Sequence, residues 1–336
     1  MNVTFIIVAY NAEKFLNNSL ESLLNQDYNL KKIEVLLVDG KSNDKTKKIM
    51  HDFKKNNEKK FKRVLVLNNP NKTLPYGWNV ALKEATGDVI VRVDAHTTFP
   101  KDYITNNVKE ISSGEDIVGG KCISITQNNS RKEILLLIAE ESIFGAGIAD
   151  FRRKGDREYV STLAFAMYRK KVFDEVGLYN VNLSRTEDNE MHYRMKKAGY
   201  KFLLSPTIET FRFARNTFKG MIKQKYGNGK WIGITMYYCP KCFSLYHFVP
   251  LLFVLSMIAC IILAILHFPI FLFILIGLYA IFNLVNLVII SLKYKFHIEY
   301  LLLPIIFFIL HVSYGFGTIV GLLKGPFYKW KRRKIK

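Results

Sequence analysis

Three long apolar runs near the end of the chain constrain its architecture before any motif is read. Leu245–Leu266, Phe268–Leu292 and Tyr300–Leu323 each exceed the roughly 20 residues that carry a helix across a bilayer. A sheet cannot share that environment unless it closes, because lipid leaves edge amides unpaired. Any open sheet in this chain therefore belongs upstream, in water. His267-Phe-Pro269 separates the first two runs and implies a tight helical hairpin. Lys293-Tyr-Lys295 and Lys329-Trp-Lys-Arg-Arg-Lys334 are their basic flanks. Three full crossings from a cytoplasmic N-terminal part put the last cluster outside, against the positive-inside tendency. Either the tail is an exception or one segment is irregular, and Pro304, His311, Ser313 and Gly315 single out the third. Gly317-Thr-Ile-Val-Gly321 fits a close helix crossing or an accident of a lipid-facing surface.

Charge divides along the same line. Of the net +21, Lys241–Lys336 carries +9 and Met1–Pro240 carries +12. Beside an apolar tail, that balance points to anionic membrane lipids. No basic-aromatic motif of a nucleic-acid reader is present, so no nucleic-acid partner is expected. Cys239-Pro-Lys-Cys242 has the spacing of half a zinc site without a second pair, and reduced juxtamembrane cysteines are the plainer reading. Met1–Asn11 lacks a basic start and a cleavage site, which predicts a multi-pass membrane protein with its N-terminal domain on the cytoplasmic side.

Residues 1–238 read as one α/β domain and 239–336 as a membrane domain of two to three helices (about 245–266, 268–292 and 300–323) with a basic tail. Val3–Ala9, Ile33–Val38, Val64–Leu67 and Val89–Val93 are short apolar runs that fit buried parallel strands. Amphipathic stretches lie between them: one after Asn11, a candidate N-cap, one at Lys45–Lys60, and one carrying Trp78 and closed by Gly87. That alternation predicts a doubly wound, mostly parallel sheet. Farther on, helices are expected at Lys101–Ser112, Ser130–Phe144, Lys170–Val176 and Asn189–Lys197. Strands are expected at Ile117–Ile125, Ser161–Tyr168 and Lys201–Leu204, and Arg152–Glu158 is a charged loop.

Polar groups collect where the first strands end: Tyr10 and Asn11, Asp39, then Asp94 and His96. Open α/β sheets bind ligands at that edge. Asp94 and His96 suit a divalent cation holding a diphosphate, or a capped turn with an ordinary loop histidine. No glycine-rich phosphate cradle is present, which favours the cation. Glu187-Asp188-Asn-Glu190 opens a helix with more carboxylates than capping needs, and a carboxylate there can deprotonate a hydroxyl. Gln224-Lys-Tyr-Gly-Asn-Gly-Lys230-Trp231 reads either as an interfacial anchor or as cations beside a phosphate leaving group.

In this order and spacing, Val8-Ala-Tyr-Asn11, Val38-Asp-Gly-Lys-Ser-Asn-Asp44, Gly77-Trp-Asn79 with Gly87-Asp88, Asp94-Ala-His96, Glu187-Asp188 and Gln224…Lys230-Trp231 resemble family 2 glycosyltransferases of the GT-A fold. The tail, with His311-Val-Ser-Tyr-Gly315, resembles members that build bacterial surface polysaccharides. The resemblance implies that Ala9, Tyr10, Asn11, Glu13, Asp39, Gly77, Asn79, Asp94 and Ala95 bind a nucleotide sugar, most often a UDP-sugar. It implies Mg²⁺ or Mn²⁺ on Asp94 and His96, with Asp188 as the base of an inverting transfer and Glu187 beside it. Gln224, Lys230 and Trp231 would border the leaving group and a lipid-linked (polyprenyl) or saccharide acceptor. His96 departs from the family's more usual Asp. The family's processive members carry Gln-x-x-Arg-Trp, and the departure here argues for adding one sugar per encounter. A non-catalytic membrane scaffold with a degenerate nucleotide-sugar site is the alternative. A nucleotidyltransferase would need a basic glycine-rich loop that Val8–Glu13 lacks.

Overall fold

The computed structural model describes residues 1–145, 150–153 and 155–333, so Lys154 of the charged loop and Lys334 of the terminal cluster lie outside the described residues. The first half runs β1 (Val3–Ala9), α1 (Leu16–Leu24), β2 (Ile33–Asp39), α2 (Thr46–Asn57), β3 (Arg63–Asn68), α3 (Leu74–Glu84), β4 (Val89–Asp94), β5 (Thr97–Thr98) and α4 (Tyr103–Ser112). Next come β6 (Ile117–Ile125), α5 (Arg131–Glu141), α6 (Asp150–Arg153), β7 (Glu158–Val160), β8 (Met167–Arg169), α7 (Lys170–Val176), α8 (Glu187–Lys197) and β9 (Phe202–Phe213). The helices α9 (Phe218–Thr235), α10 (Val249–Ile265), α11 (Ile270–Tyr294) and α12 (Leu303–Arg333) complete the chain. These elements form two compact units: Met1–Ile125 with Ala149–Phe213, and Thr126–Ile148 with Ala214–Lys336. The packing boundary thus falls earlier than the change of composition near 238, because α5 and α9 pack with the apolar helices.

Every residue of β1 and β2 is buried, which only a central strand with both faces covered allows. Phe5 and Ile7 meet Leu16, Leu20 and Met50 on one face, and Ile6 and Val8 meet Trp78 and Ala81 on the other. Each such side chain contributes roughly 1.5–3 kcal/mol on burial. The sheet order is β3-β2-β1-β4-β8-β6-β9-β5, with β7 on β9. The first four strands are parallel as expected. Beyond β4 the sheet is mixed, since β8 runs antiparallel to both β4 and β6. Glu34 is fully buried in this core and accepts hydrogen bonds from Thr4, Arg63 and both Thr86 donors.

Several local expectations are corrected. Asn11 has φ 49° and does not cap α1, which starts only at Leu16. Gly87 does not close α3; it lets the backbone pass Thr4, where a Cβ would sit 2.6 Å from the Thr4 nitrogen. Most of Ser161–Tyr168 is not a strand, because Phe165 takes a positive φ of 49°. The last strand, β9, is longer than Lys201–Leu204 suggests and pairs with β6 across a register slip after Gly119.

In the second unit three helices are long and apolar enough to cross a membrane: Leu245–Ile265, Ile270–Tyr294 and Ile298–Trp330. The third is not irregular where expected. Pro304 sits in the first turn of α12, where its missing N–H costs nothing. His311 is held on both sides, its Nε2–H donating to the Phe144 carbonyl at 2.6 Å while the Tyr279 hydroxyl meets Nδ1 at 3.0 Å. The Gly317/Gly321 pair marks a close crossing. A Cβ at Gly317 would lie 2.3 Å from the Tyr226 carbonyl oxygen, and one at Gly229 2.0 Å from that of Tyr314. Glycine on both α9 and α12 lets the two backbones touch.

Candidate functional site

Sheet register brings the strand-end candidates into one row. Ala9 lies opposite Asp39, and Val8 opposite Asp94. β1 is the strand where the winding reverses, with β2 on one side and β4 on the other. Ligands of open α/β sheets bind in the crevice at that switch point.

The loops after β1 and β2 are laced together. Asn11 donates its N–H to Ser42 Oγ at 3.0 Å and accepts from the Asn43 N–H at 2.8 Å. Glu13 accepts from the Lys45 N–H at 3.0 Å and donates its own to Asp44 at 3.1 Å. Asp39 is buried and accepts from the Ser42 N–H at 3.2 Å. The lacing leaves Tyr10 displayed, half exposed at 49%, with Lys72 Nζ 5.9 Å from its ring centre. An exposed aromatic face beside a cation suits a planar, anionic ligand.

Alternation along β4 sends Arg92 to the same face as Ile90, toward Trp78, Tyr168 and Tyr179. Arg92 is buried, its guanidinium 5.1 Å from the Trp78 ring centre and 5.4 Å from that of Tyr179. Its Nη1 donates to the Tyr179 hydroxyl at 3.1 Å. Burial opposes the charge, but Tyr179, Tyr168, Asp188 and Glu187 more than offset that, and the Arg92 pKa is raised. Arg92 was missed as a functional candidate, although a charged residue inside Val-Ile-Val-Arg-Val is itself a signal.

Glu187 and Asp188 begin α8, where the helix dipole favours negative charge. Burial pushes Glu187 up to about 8; Asp188 adds to the rise and Arg92 opposes it. Burial also raises Asp188, again against Arg92. Asp94 acts on both carboxylates in the same direction as burial. Asp94, Glu187 and Asp188 therefore share one electrostatic neighbourhood, with Arg92 as its counter-charge. Glu187 Oε2 is buried without a hydrogen-bond partner.

Other candidates are placed differently. Gly77 packs α3 on β1, where a Cβ would stand 2.4 Å from Val8 Cγ1. Asn79 spends both ends of its amide on the Tyr179 backbone. For these two the structure shows packing and bracing. Ala95 is buried beside Asp94, and the His96 carbonyl accepts from the Phe213 N–H at 3.2 Å. Gln224, Lys230 and Trp231 lie on α9 in the second unit, with the Trp231 ring edge-on to Tyr328 at 5.4 Å.

No group of three or more His, Cys, Asp or Glu that could hold a metal occurs among the described residues. Asp94 and His96 bring two candidate ligand side chains to the strand ends, and a Mg²⁺-like ion needs few protein ligands when it keeps several waters and takes substrate phosphates into its shell.

The Glycosyl transferase family 2 model matches residues 4–177. A dolichyl N-acetyl-α-D-glucosaminyl phosphate 3-β-D-2,3-diacetamido-2,3-dideoxy-β-D-glucuronosyltransferase of Methanococcus voltae is 28% identical, over 96% of this chain and 98% of its own. The succinoglycan biosynthesis protein ExoA of Rhizobium meliloti is 28% identical, and the match spans 58% of each chain. The mannosyltransferase PcManGT of Pyrobaculum calidifontis, solved with GDP-Man and Mn²⁺, superposes with a TM-score of 0.58 at 16% identity over 98% of this chain and 88% of that one. That likeness carries the GT-A-type fold. With more than half of its length matched by the family model, the chain belongs to glycosyl transferase family 2.

Proposed function

We propose that this chain is a metal-dependent, inverting glycosyltransferase. It moves one sugar from a nucleotide sugar, a UDP-sugar by preference, to a lipid-linked (polyprenyl) or saccharide acceptor at the cytoplasmic face of the cell membrane. The observation that carries the reading is the carboxylate pair of buried Glu187 and half-buried Asp188, set against Arg92 and sharing its field with Asp94. The dolichyl-phosphate-linked acceptor in the name of the Methanococcus relative, and the three candidate membrane helices, support a lipid-linked acceptor. The Mn²⁺ and GDP-Man held by the mannosyltransferase of similar fold support the metal.

Tyr10 offers a stacking face for the base, with Asp39 behind it. Asp94 and His96 would hold Mg²⁺ or Mn²⁺, which when bound neutralises charge on the leaving diphosphate. Asp188 takes the proton of the acceptor hydroxyl as its oxygen bonds to the anomeric carbon. The bond from that carbon to the diphosphate oxygen breaks, and the oxygen leaves with the electron pair. Attack opposite the leaving group inverts the centre. Glu187, with its raised pKa, stays protonated beside Asp188 and leaves that carboxylate as the base.

The test uses the full chain in detergent or nanodiscs. Asp188→Asn and Asp94→Ala should each abolish transfer while keeping the wild-type melting temperature within a few degrees. Substantial turnover by either folded variant overturns the assignment. Wild type that binds nucleotide sugar and never consumes it is a scaffold.

A further inference from the structure

What α12 touches within the second unit fixes its depth. α10 and α11 form a hairpin that turns at Leu266–Pro269, with the Phe253 ring stacked on Tyr279 at 4.8 Å. Val249 and Tyr294 therefore mark one side of the bilayer and His267 the other. A helix crossing beside this hairpin begins on one side and ends on the other. α12 does not. Its start, Leu303, shares a core cluster with Ile290, near the Tyr294 end of α11. Its middle meets the first turn of α10, where a Cβ at Gly315 would lie 2.2 Å from the Pro250 carbonyl oxygen. Beyond that it is tied to a residue that precedes α10. The Tyr237 hydroxyl donates to the Leu322 carbonyl at 2.9 Å, and Lys329 Nζ donates to the Tyr237 carbonyl at 2.6 Å. Pro326 has no N–H to offer that Leu322 carbonyl, so Tyr237 supplies the bond the helix lacks. The buried residues of the hairpin agree. Val254 on α10, and Asn283, Asn286 and Ile290 on α11, all lie in the halves away from the turn.

The partner helix sets the same depth. α9 runs parallel to α12, with Tyr226 against Gly317 and Lys230 against Gly321. It carries Lys219, Lys223, Lys225 and Lys230, charges that hydrocarbon excludes. On another face of α12 from Gly317 and Gly321, Phe316, Leu323, Phe327 and Trp330 recur at helical spacing and are exposed. An apolar stripe on a helix flanked by cations suits the boundary between headgroups and acyl chains.

We propose that α9 and the second half of α12 lie as a pair in the phospholipid headgroup layer, on the side from which α10 enters. The apolar stripe dips toward the acyl chains, and the exposed Lys219, Lys223 and Lys324 sit among lipid phosphates. The bilayer is then crossed twice, by α10 and α11. Lys329–Arg333 stays on the side where α9 ends, which removes the conflict with the positive-inside tendency that three crossings create. The inference does not depend on the glycosyltransferase reading.

Two measurements on the full chain test it. In sealed vesicles of uniform orientation, a membrane-impermeant maleimide is applied from one side to Lys241→Cys, His267→Cys and Lys324→Cys, each in a chain whose native cysteines are replaced. Lys324→Cys should label from the same side as Lys241→Cys and from the side opposite to His267→Cys. Labelling of Lys324→Cys from the His267→Cys side overturns the proposal. In nanodiscs, Phe316→Trp adds fluorescence to the wild-type signal. Lipids brominated near the headgroup should quench that added emission more than lipids brominated near the chain ends. Stronger quenching by the deep bromines also overturns the proposal. The second measurement needs no cysteine replacement, so it decides alone if the cysteine-free chain does not fold.

Discussion

Asn79 and Tyr179 are separated by 100 residues in sequence and joined by reciprocal hydrogen bonds. Asn79 Nδ2 donates to the Tyr179 carbonyl at 2.8 Å, and Oδ1 accepts from the Tyr179 N–H at 2.9 Å. This bracket fixes the ring that forms one wall of the Arg92 sandwich. Asn79→Leu leaves both Tyr179 backbone groups buried and unpaired, at a cost of about 2–4 kcal/mol. The expected outcome is a lower melting temperature with a fall in kcat larger than any change in donor KM. Unaltered kcat in a destabilised variant would show that the bracket serves stability only.

Arg92 works against burial at Asp188, because its positive charge favours the ionised carboxylate. Removing that charge leaves burial and the neighbouring Asp94 to raise the Asp188 pKa further. Arg92→Met should therefore move the acidic limb of log kcat/KM to higher pH, and Arg92→Lys should move it less. A limb that stays in place while activity falls would remove Arg92 from the tuning of the base.

Glu187 and His192 lie on one helix and pull stability in opposite directions with pH. Burial raises Glu187 from 4.5 to about 8, so the folded state binds its proton more tightly than the unfolded chain. That contribution is complete below the unfolded pKa and is lost as pH rises toward about 8. Glu187→Gln should flatten the alkaline fall in stability, as read by chemical denaturation between pH 5 and 9.

His192 is the converse case. Burial lowers it from 6.5 to about 3, so the folded state holds a neutral ring between Tyr168 and Thr162. As pH falls below 6.5 the unfolded chain takes up a proton that the folded state refuses, and stability drops by up to about 1.4 kcal/mol per pH unit toward pH 3. His192→Gln keeps hydrogen-bonding capacity at that position and removes the titration. Its acid-side stability slope should be shallower than wild type, and an identical slope would place the titrating group elsewhere.

These pairings mark where sequence reasoning stops. The four parallel strands were legible because Val3–Ala9, Ile33–Val38, Val64–Leu67 and Val89–Val93 carry their burial in their composition. The polar strand ends were legible for the same reason, since Asp39 and Asp94 interrupt apolar runs. The Asn79–Tyr179 bracket depends on tertiary pairing and left no local pattern. α9 was also invisible as a helix, because Gly227, Gly229 and Gly233 argue against one. Packing on α12 overrides that propensity.

The same glycines support the last prediction. α9 and α12 approach so closely that a Cβ at Gly233 would lie 2.4 Å from the Thr318 carbonyl oxygen, and one at Gly321 2.1 Å from that of Lys230. Backbone oxygens on a helix cannot swing aside as side chains do, so the helices themselves must separate. Gly321→Val and Gly233→Val should each destabilise the protein by at least the 1–3 kcal/mol typical of overpacking, roughly. Gly277→Val is the matched control. It places the same side chain on a membrane helix where nothing stands within 4 Å of the new Cβ. Thermal unfolding in detergent should show large downward shifts for the first two variants and little change for the third. Equal behaviour of all three would mean that α9 and α12 do not touch through their backbones.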